Sequence, residues 1–242
     1  MMKDKYTCIN CGSRIFSLYK KYSETVLKLT DCNICGRIAD KYVEYDTVII
    51  IIDLILLNTG AYRHILFNTE FKNFWKLSIV LLVVESYSSW VMFNKNEAAG
   101  QYNITEPNLP DPTIYLDSLE FYKFCLNITL SEVSFVLMIY LLTSLCSRVT
   151  AIEKTSLIKI CKAITLSSAG MFLLLPSLIW DLQVHEYHLQ FISLYTTLSQ
   201  LIAHKALCSC GKIWSLIVIF SSYLVKLYVV ERNVRLLEYL SQ

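Results

Sequence analysis

The sequence predicts a mainly α-helical membrane protein, in which a bundle of four or five spans carries a small β head at its N-terminus. Apolar residues make up 55% of the 242 residues and charged residues only 17%, whereas soluble domains average about 45–50% apolar and about 25% charged. The apolar residues are concentrated in blocks of roughly 18–25 residues, the length that crosses a bilayer. The chain ahead of these blocks is polar and contains paired cysteines. This pattern excludes a disordered chain, a coiled coil and an ordinary soluble enzyme.

The predicted head covers residues 1–45. Its β-branched and aromatic residues indicate two short strands, Arg14–Tyr19 and Thr25–Thr30, with a turn over Lys20–Glu24. Two strands alone bury too little apolar surface to fold independently. The head therefore needs an additional constraint.

Two Cys-x2-Cys pairs, separated by twenty residues, supply that constraint. Their members are Cys8, Cys11, Cys32 and Cys35, and a glycine follows each pair. Four thiolates on two tight turns can enclose one tetrahedral ion at about 2.3 Å, which predicts a zinc-ribbon-like head with one structural zinc ion. The alternatives are a redox pair, whose βαβ context is missing, and an iron–sulfur cluster.

Residues 46–73 are predicted to connect the head to the bundle along the membrane surface. The stretch Asp46–Asn58 is very apolar, but as a helix it would be only about 20 Å long, so we expect an amphipathic helix in the interface or a shallow re-entrant segment. Asp46 and Asp53 are seven residues apart and share a helix face. They could receive a lipid head group or a basic residue of a partner, or they could mark the wet side of the helix or pair with Arg63.

The bundle is predicted to occupy residues 74–242. Pro176 is expected to kink the third span, and polar residues between 196 and 200 weaken the fourth. The predicted spans are Phe74–Phe93, Leu119–Leu145, Ala163–Trp180, Leu189–Ala203 and Ile213–Val230.

Basic residues predict the orientation of these spans. The head has eight Lys and Arg residues, the 146–162 loop has four and the 204–212 loop has two, whereas the 94–117 loop has one and the 181–188 loop none. This alternation predicts a cytosolic N-terminus. Five spans would place Arg232 and Arg235 in the lumen, which the rule disfavours, so four spans with a cytosolic tail remain an alternative.

The head and the connector resemble the Arv family of endoplasmic-reticulum membrane proteins. The resemblance is carried by the two cysteine pairs and by the segments 40–46 (DKYVEYD), 51–53 (IID) and 61–68 (AYRHILFN). It implies a role in sterol homeostasis and intracellular sterol and lipid transport, with effects on sphingolipid and GPI-anchor metabolism. It also implies membrane lipids as partners. The alternative is a non-catalytic scaffold for GPI-anchor or lipid-synthesis enzymes.

Several other residues are candidates for binding a lipid or a partner. Tyr62, Arg63 and His64 could contact a phosphate-bearing head group or serve as an interfacial anchor. Glu85 and Glu132 lie near the middles of the first two spans, where an ionised carboxylate is costly, so we expect them to face the bundle interior or to be protonated. Lys226, in the last span, could pair with one of them.

Catalysis and nucleic-acid binding are not expected. The sequence contains no GxSxG, P-loop, GxGxxG or HExxH motif, which argues against an enzyme. The net charge of +2 is too small to suggest a nucleic-acid partner.

Overall fold

The computed structural model describes residues 6–23, 26–101, 118–150, 156–179, 186–208 and 211–240. Within these ranges a small β head precedes eight α-helices, which confirms the predicted fold class. The end of the predicted Lys20–Glu24 turn and the start of the predicted Thr25–Thr30 strand lie outside the described residues.

The head contains two short hairpins, so the prediction of a single pair of strands was wrong. β1 (Tyr6–Thr7) pairs antiparallel with β2 (Arg14–Ile15), and β3 (Tyr19–Lys21) pairs antiparallel with β4 (Leu27–Leu29). Ile15 and Leu18 are both buried against the cysteines. Residues three apart on one strand point to opposite faces, so the chain must bend between them, and the predicted strand Arg14–Tyr19 is divided between the two hairpins.

The connector forms two helices instead of the single predicted helix over Asp46–Asn58. α1 spans Thr47–Ile55, and Leu57 then adopts the left-handed conformation, with φ of 59°. Asn58 caps the next helix, α2 (Thr59–Arg63), because its side chain accepts a hydrogen bond from the Gly60 amide. A π-helical turn, His64–Asn68, follows.

Every residue of α1 keeps part of its surface exposed, although the helix is almost entirely apolar. Its exposed apolar side chains are Val48, Ile49, Ile51, Ile52 and Ile55. A helix with this composition needs an apolar environment, as an interfacial location would provide.

Six further α-helices form the bundle. They are α3 (Phe74–Gln101), α4 (Ser118–Thr150), α5 (Leu157–Ser167), α6 (Leu174–Ile179), α7 (Glu186–Leu207) and α8 (Lys212–Leu240). Among the described residues, four stretches are long and apolar enough to cross a membrane: Phe74–Asn94, Glu120–Cys146, Leu157–Pro176 and Lys212–Asn233. The protein is therefore a multi-pass membrane protein.

A 3₁₀-helical stretch, Ser168–Leu173, joins α5 to α6 within the third of these stretches. Pro176 follows in α6, where its missing amide and its ring disfavour a regular helix over the preceding turn. The predicted irregularity is therefore present, and it lies on the N-terminal side of the proline.

α7 is not one of the four apolar stretches, yet it runs antiparallel to the third of them. Ala163 packs beside Ala203 at one end, and Leu174 packs beside Ile192 toward the other. The polar residues that reduce its hydropathy are buried in the bundle, namely Thr196, Ser199, Gln200 and His204, whereas Phe191, Leu194 and Leu198 are exposed. α7 therefore has a polar inner face and an apolar outer face.

α4, α5 and α8 supply the largest core cluster of the bundle. α8 runs antiparallel to α4, because Lys226 meets Glu132 while the later Asn233 meets the earlier Asn127. The buried side chains of this cluster are Phe135, Ile139, Ile160, Ile164, Val218 and Ile219.

Candidate metal centre and its junction with the bundle

The four head cysteines converge on one point. The sulfurs of Cys8 and Cys35 are 3.8 Å apart and those of Cys11 and Cys32 are 3.6 Å apart, and all four lie within 4.8 Å of one another. A tetrahedron with metal–sulfur bonds of about 2.3 Å has edges of about 3.8 Å, whereas disulfide sulfurs would lie about 2.05 Å apart. The four thiols therefore fit a single metal ion.

Both cysteine pairs are held by the same type of turn. The Cys8 amide donates to Ser13 O (2.8 Å) and the Gly12 amide donates to Cys8 O (2.9 Å). The second turn repeats this pattern at Cys32, with bonds of 2.8 Å to Arg37 O and 2.9 Å from the Gly36 amide. Both glycines have positive φ, 80° and 67°, which any other residue would adopt only with strain. This explains the glycine after each pair.

The surroundings of the sulfurs favour the thiolate form at one of the two buried cysteines. Burial raises the pKa of Cys8 to about 11, although amides of its own turn donate to its sulfur. The Ser13 hydroxyl, 3.2 Å from the sulfur, and the amides of Cys35 and Ile34 lower the pKa of Cys32 to about 6. Sequence reasoning missed Ser13, which is also 2.9 Å from the Cys11 sulfur.

Arg63 connects α2 to the first cysteine turn. Its Nη1 atom donates to Ile9 O (3.0 Å) and Asn10 O (2.8 Å). Burial lowers the pKa of Arg63, while its attraction to Cys11 and Cys8 opposes that shift. The guanidinium therefore places positive charge beside the thiols. The suggested pairing of Arg63 with Asp46 or Asp53 was wrong.

A buried carboxylate joins the head to the π-helical turn. Asp40 is 0% exposed and accepts hydrogen bonds from the Tyr42 amide (3.0 Å) and from Asn68 Nδ2 (2.6 Å). His64 Nδ1 lies 2.7 Å from the same carboxylate. Asn68 also exchanges two 2.9 Å bonds with the Thr7 backbone in β1. The network therefore fixes the head onto the connector.

Sequence reasoning missed Asp40 and Asn68 as site residues. Both lie within the segments that carry the family resemblance. Their position in these segments was a signal that sequence reasoning could have used. The contact between them could not be predicted, because the two residues are 28 positions apart in the sequence. His64 was a candidate, and its place in this network gives it a positioning role.

Two of the remaining connector candidates, Asp53 and Tyr62, also make internal contacts. Asp53 accepts a 2.5 Å bond from the Tyr42 hydroxyl and a 3.2 Å bond from Asn58, and burial together with Asp53 raises the pKa of Tyr42. The Tyr62 hydroxyl lies 2.6 Å from Ser199 Oγ and so ties α2 to α7. Asp46 is exposed and immediately precedes α1.

Glu85, Glu132 and Lys226 meet inside the bundle. The Lys226 Nζ atom lies 3.0 Å from Glu85 Oε1 and also forms an ion pair with Glu132. All three side chains are largely buried. Both glutamates face the interior, as expected, and Lys226 pairs with both of them and not with one alone. We call these three residues the triad.

Residues 7–204 match the Arv1-like family. The chain belongs to this family. The match includes all four cysteines, the Asp40 network and both triad glutamates, whereas Lys226 lies beyond it. "Protein ARV1" of Mus musculus is 33% identical over 226 residues, covering 93% of this chain and 82% of that protein.

Other Arv proteins match over different lengths. "Protein ARV1" of Homo sapiens is also 33% identical over 226 residues, covering 92% of this chain and 79% of that protein. "Protein ARV1" of Saccharomyces cerevisiae is 52% identical, but only over 61 residues, which are 25% of this chain and 19% of that protein. No solved structure matches the chain.

Proposed function

We propose that this Arv1-like protein maintains the distribution of sterols and related lipids in the endoplasmic-reticulum membrane, with effects on sphingolipid and GPI-anchor metabolism. Membership of the Arv1-like family carries this proposal, and the family resemblance supplies the lipid role. The multi-span bundle gives the protein direct access to membrane lipids. Its part is non-catalytic: it binds or moves lipids, and it supports the enzymes that make them.

The ion held by the head is Zn²⁺ in this proposal. Four thiolates in tetrahedral arrangement are the ligand set typical of structural zinc. A cytosolic head would keep these thiols reduced and available for the metal. The ion would stabilise the head against unfolding. It would thereby preserve the contacts of Arg63 and Asp40, which join the head to the connector.

We also propose five crossings, with the C-terminus on the opposite side of the membrane from the head. α7 accompanies the third apolar stretch along its length and exposes an apolar outer face. The cytosolic N-terminus follows from the basic residues of the head. Tags added at the two ends would become accessible from opposite sides of microsomes, and accessibility of both from the cytosolic side would overturn this topology.

Reconstitution in vesicles tests the lipid role. Pure protein should accelerate transfer of a labelled sterol or glycolipid between leaflets, relative to empty vesicles. A Cys32→Ser variant should lose this activity and a Cys125→Ser variant, altered in a bundle helix, should retain it. Vesicles in which the native protein moves no lipid of a broad panel would refute direct transport.

A scaffold function is the second candidate, favoured by exposed apolar side chains on the polar head. Ile34 is 75% exposed and Phe16 is 62% exposed, and exposed apolar groups outside the membrane often mark protein contacts. Ile34→Ser should then reduce recovery of lipid-synthesis or GPI-anchor enzymes with the tagged protein. Unchanged recovery would show that the exposed apolar surface at Ile34 does not bind these enzymes.

A further inference from the structure

A cavity of about 480 Å³ lies between α3, α4 and α5. Its walls are mainly apolar, with Ile79, Leu82, Val133 and Val136 among the lining side chains. Ser78 lies about 10 Å from Glu85 along α3, two turns nearer the head. The volume is in the range that encloses a small ligand.

The polar end of this cavity is formed by the two glutamates of the triad. Glu85 and Glu132 both line it, and both pair with the single ammonium group of Lys226. Two carboxylates share one ammonium, so ionisation of both leaves one uncompensated negative charge, which is costly inside a membrane. A ligand that brings a hydrogen-bond donor or a positive charge to this point would offset that cost.

A second cavity, of about 300 Å³, lies on the other side of the triad. Both cavities are lined by Glu85 and Met171. The smaller cavity is rich in polar groups and includes Thr196, whose buried Oγ1 has no hydrogen-bond partner among the described residues. A buried hydroxyl of this kind is normally satisfied by water or by a ligand atom. The triad thus separates an apolar space from one suited to polar groups.

We propose that the larger cavity binds a lipid with an apolar body and one hydrogen-bond-donating end, a hydroxyl or an amine, which contacts Glu85 and Glu132. The inference rests on the proposed lipid function and specifies the site and the chemistry of its ligand. A lipid with an anionic end is disfavoured, because its charge would approach two carboxylates that share one lysine. Sterols, long-chain alcohols and sphingoid amines all carry the required end.

Photoactivatable lipids with one common chain and three different ends test this chemistry. Full-length protein in nanodiscs would be labelled with C18 diazirine probes that end in an alcohol, an amine or a carboxylate, and with a sterol probe. Mass spectrometry would locate the labelled peptides. The alcohol and amine probes should label the α3, α4 and α5 segments at the cavity about tenfold more than the carboxylate probe, since one charge-assisted hydrogen bond is worth at least that factor.

The sterol probe shows whether the cavity prefers a ligand with a rigid ring system or one with a flexible chain. Stronger labelling by the sterol than by the alcohol identifies a rigid ring system as the preferred body, and the reverse identifies a flexible chain. Both results support the proposed end-group chemistry. Equal labelling of the cavity by all three chain probes would overturn it.

Two variants test whether the ligand binds in the cavity. Ser78→Trp should fill the cavity and reduce alcohol labelling there at least fivefold, while the triad is unaltered. Glu132→Gln removes one of the two carboxylates that share Lys226 and should bring carboxylate labelling close to alcohol labelling. Glu120→Gln, about 18 Å from Glu132 along α4, is the matched control and should leave every ratio unchanged.

The outcomes separate this inference from the proposed function. If vesicles transport lipid but Ser78→Trp changes neither labelling nor transport, the cavity assignment is wrong and the transport function stands. If the probes label the cavity as expected while no lipid moves, the site is supported and direct transport fails.

Discussion

Gly170 lies so close to α7 that the addition of one methyl group should destabilise the bundle. A Cβ atom at this position would lie 2.7 Å from Tyr195 Cδ1, 2.8 Å from Tyr195 Cε1 and 3.2 Å from Thr196 Oγ1. The Tyr195 ring cannot move away freely, because its hydroxyl donates a 2.9 Å hydrogen bond to Ile55 O at the end of α1. Gly170→Ala must therefore displace α7 or break the link to α1.

The size of the effect follows from these contacts. Overpacking of a well-packed interior costs about 1–3 kcal/mol, and loss of the tyrosine hydrogen bond would add about 0.5–1.5 kcal/mol. The higher helix propensity of alanine offsets this destabilisation by up to about 1 kcal/mol. We therefore expect Gly170→Ala to lower the free energy of unfolding by about 1–3 kcal/mol.

Thermal or SDS-induced unfolding of the purified protein in detergent would measure this loss. Gly211→Ala is the matched control, because a Cβ atom there would meet nothing within 4 Å. Tyr195→Leu should make a second change at Gly170 less costly, since the clashing ring is gone. If Gly170→Ala were as stable as Gly211→Ala, the close packing between α7 and the 3₁₀ stretch would be refuted.

Three further predictions concern the head. We expect elemental analysis to find one metal ion per chain in the native protein and in Cys125→Ser, and none in Cys32→Ser, whereas equal metal contents in all three would contradict the four-sulfur site. Asp40→Asn should destabilise the docking of the head by about 3–5 kcal/mol, because it breaks a buried charged network. The exposed Asp31→Asn should have little effect, and hydrogen exchange of the head amides compares the two. Arg63→Ala should speed metal release to a chelator, because it removes positive charge and two carbonyl contacts beside the first cysteine turn; an unchanged rate would show that Arg63 contributes only to packing.

The order of the amino acids is enough to predict that the molecule is a multi-span membrane protein and that its head has a four-cysteine site. Span lengths and cysteine spacing are local properties, and a residue's neighbours in the chain suffice to define them. Glu85, Glu132 and Lys226 were also recognisable, because an ionisable residue in an apolar stretch must find a partner. The ends of the strands were harder to predict from the sequence, because they depend on the burial of both Ile15 and Leu18 against the cysteines.

The attachment of the head and the orientation of α7 depend on contacts between distant parts of the chain. Asp40 and Asn68 are 28 positions apart, and Arg63 contacts a carbonyl 53 positions away. No periodicity or motif encodes such pairings, because they depend on how separate segments pack. Likewise, the polar residues of α7 lower its hydropathy in sequence, yet packing turns them inward against the other helices. Local composition therefore specified which segments are apolar enough to cross a membrane and which residues could hold a metal ion, and long-range packing specified how those segments meet.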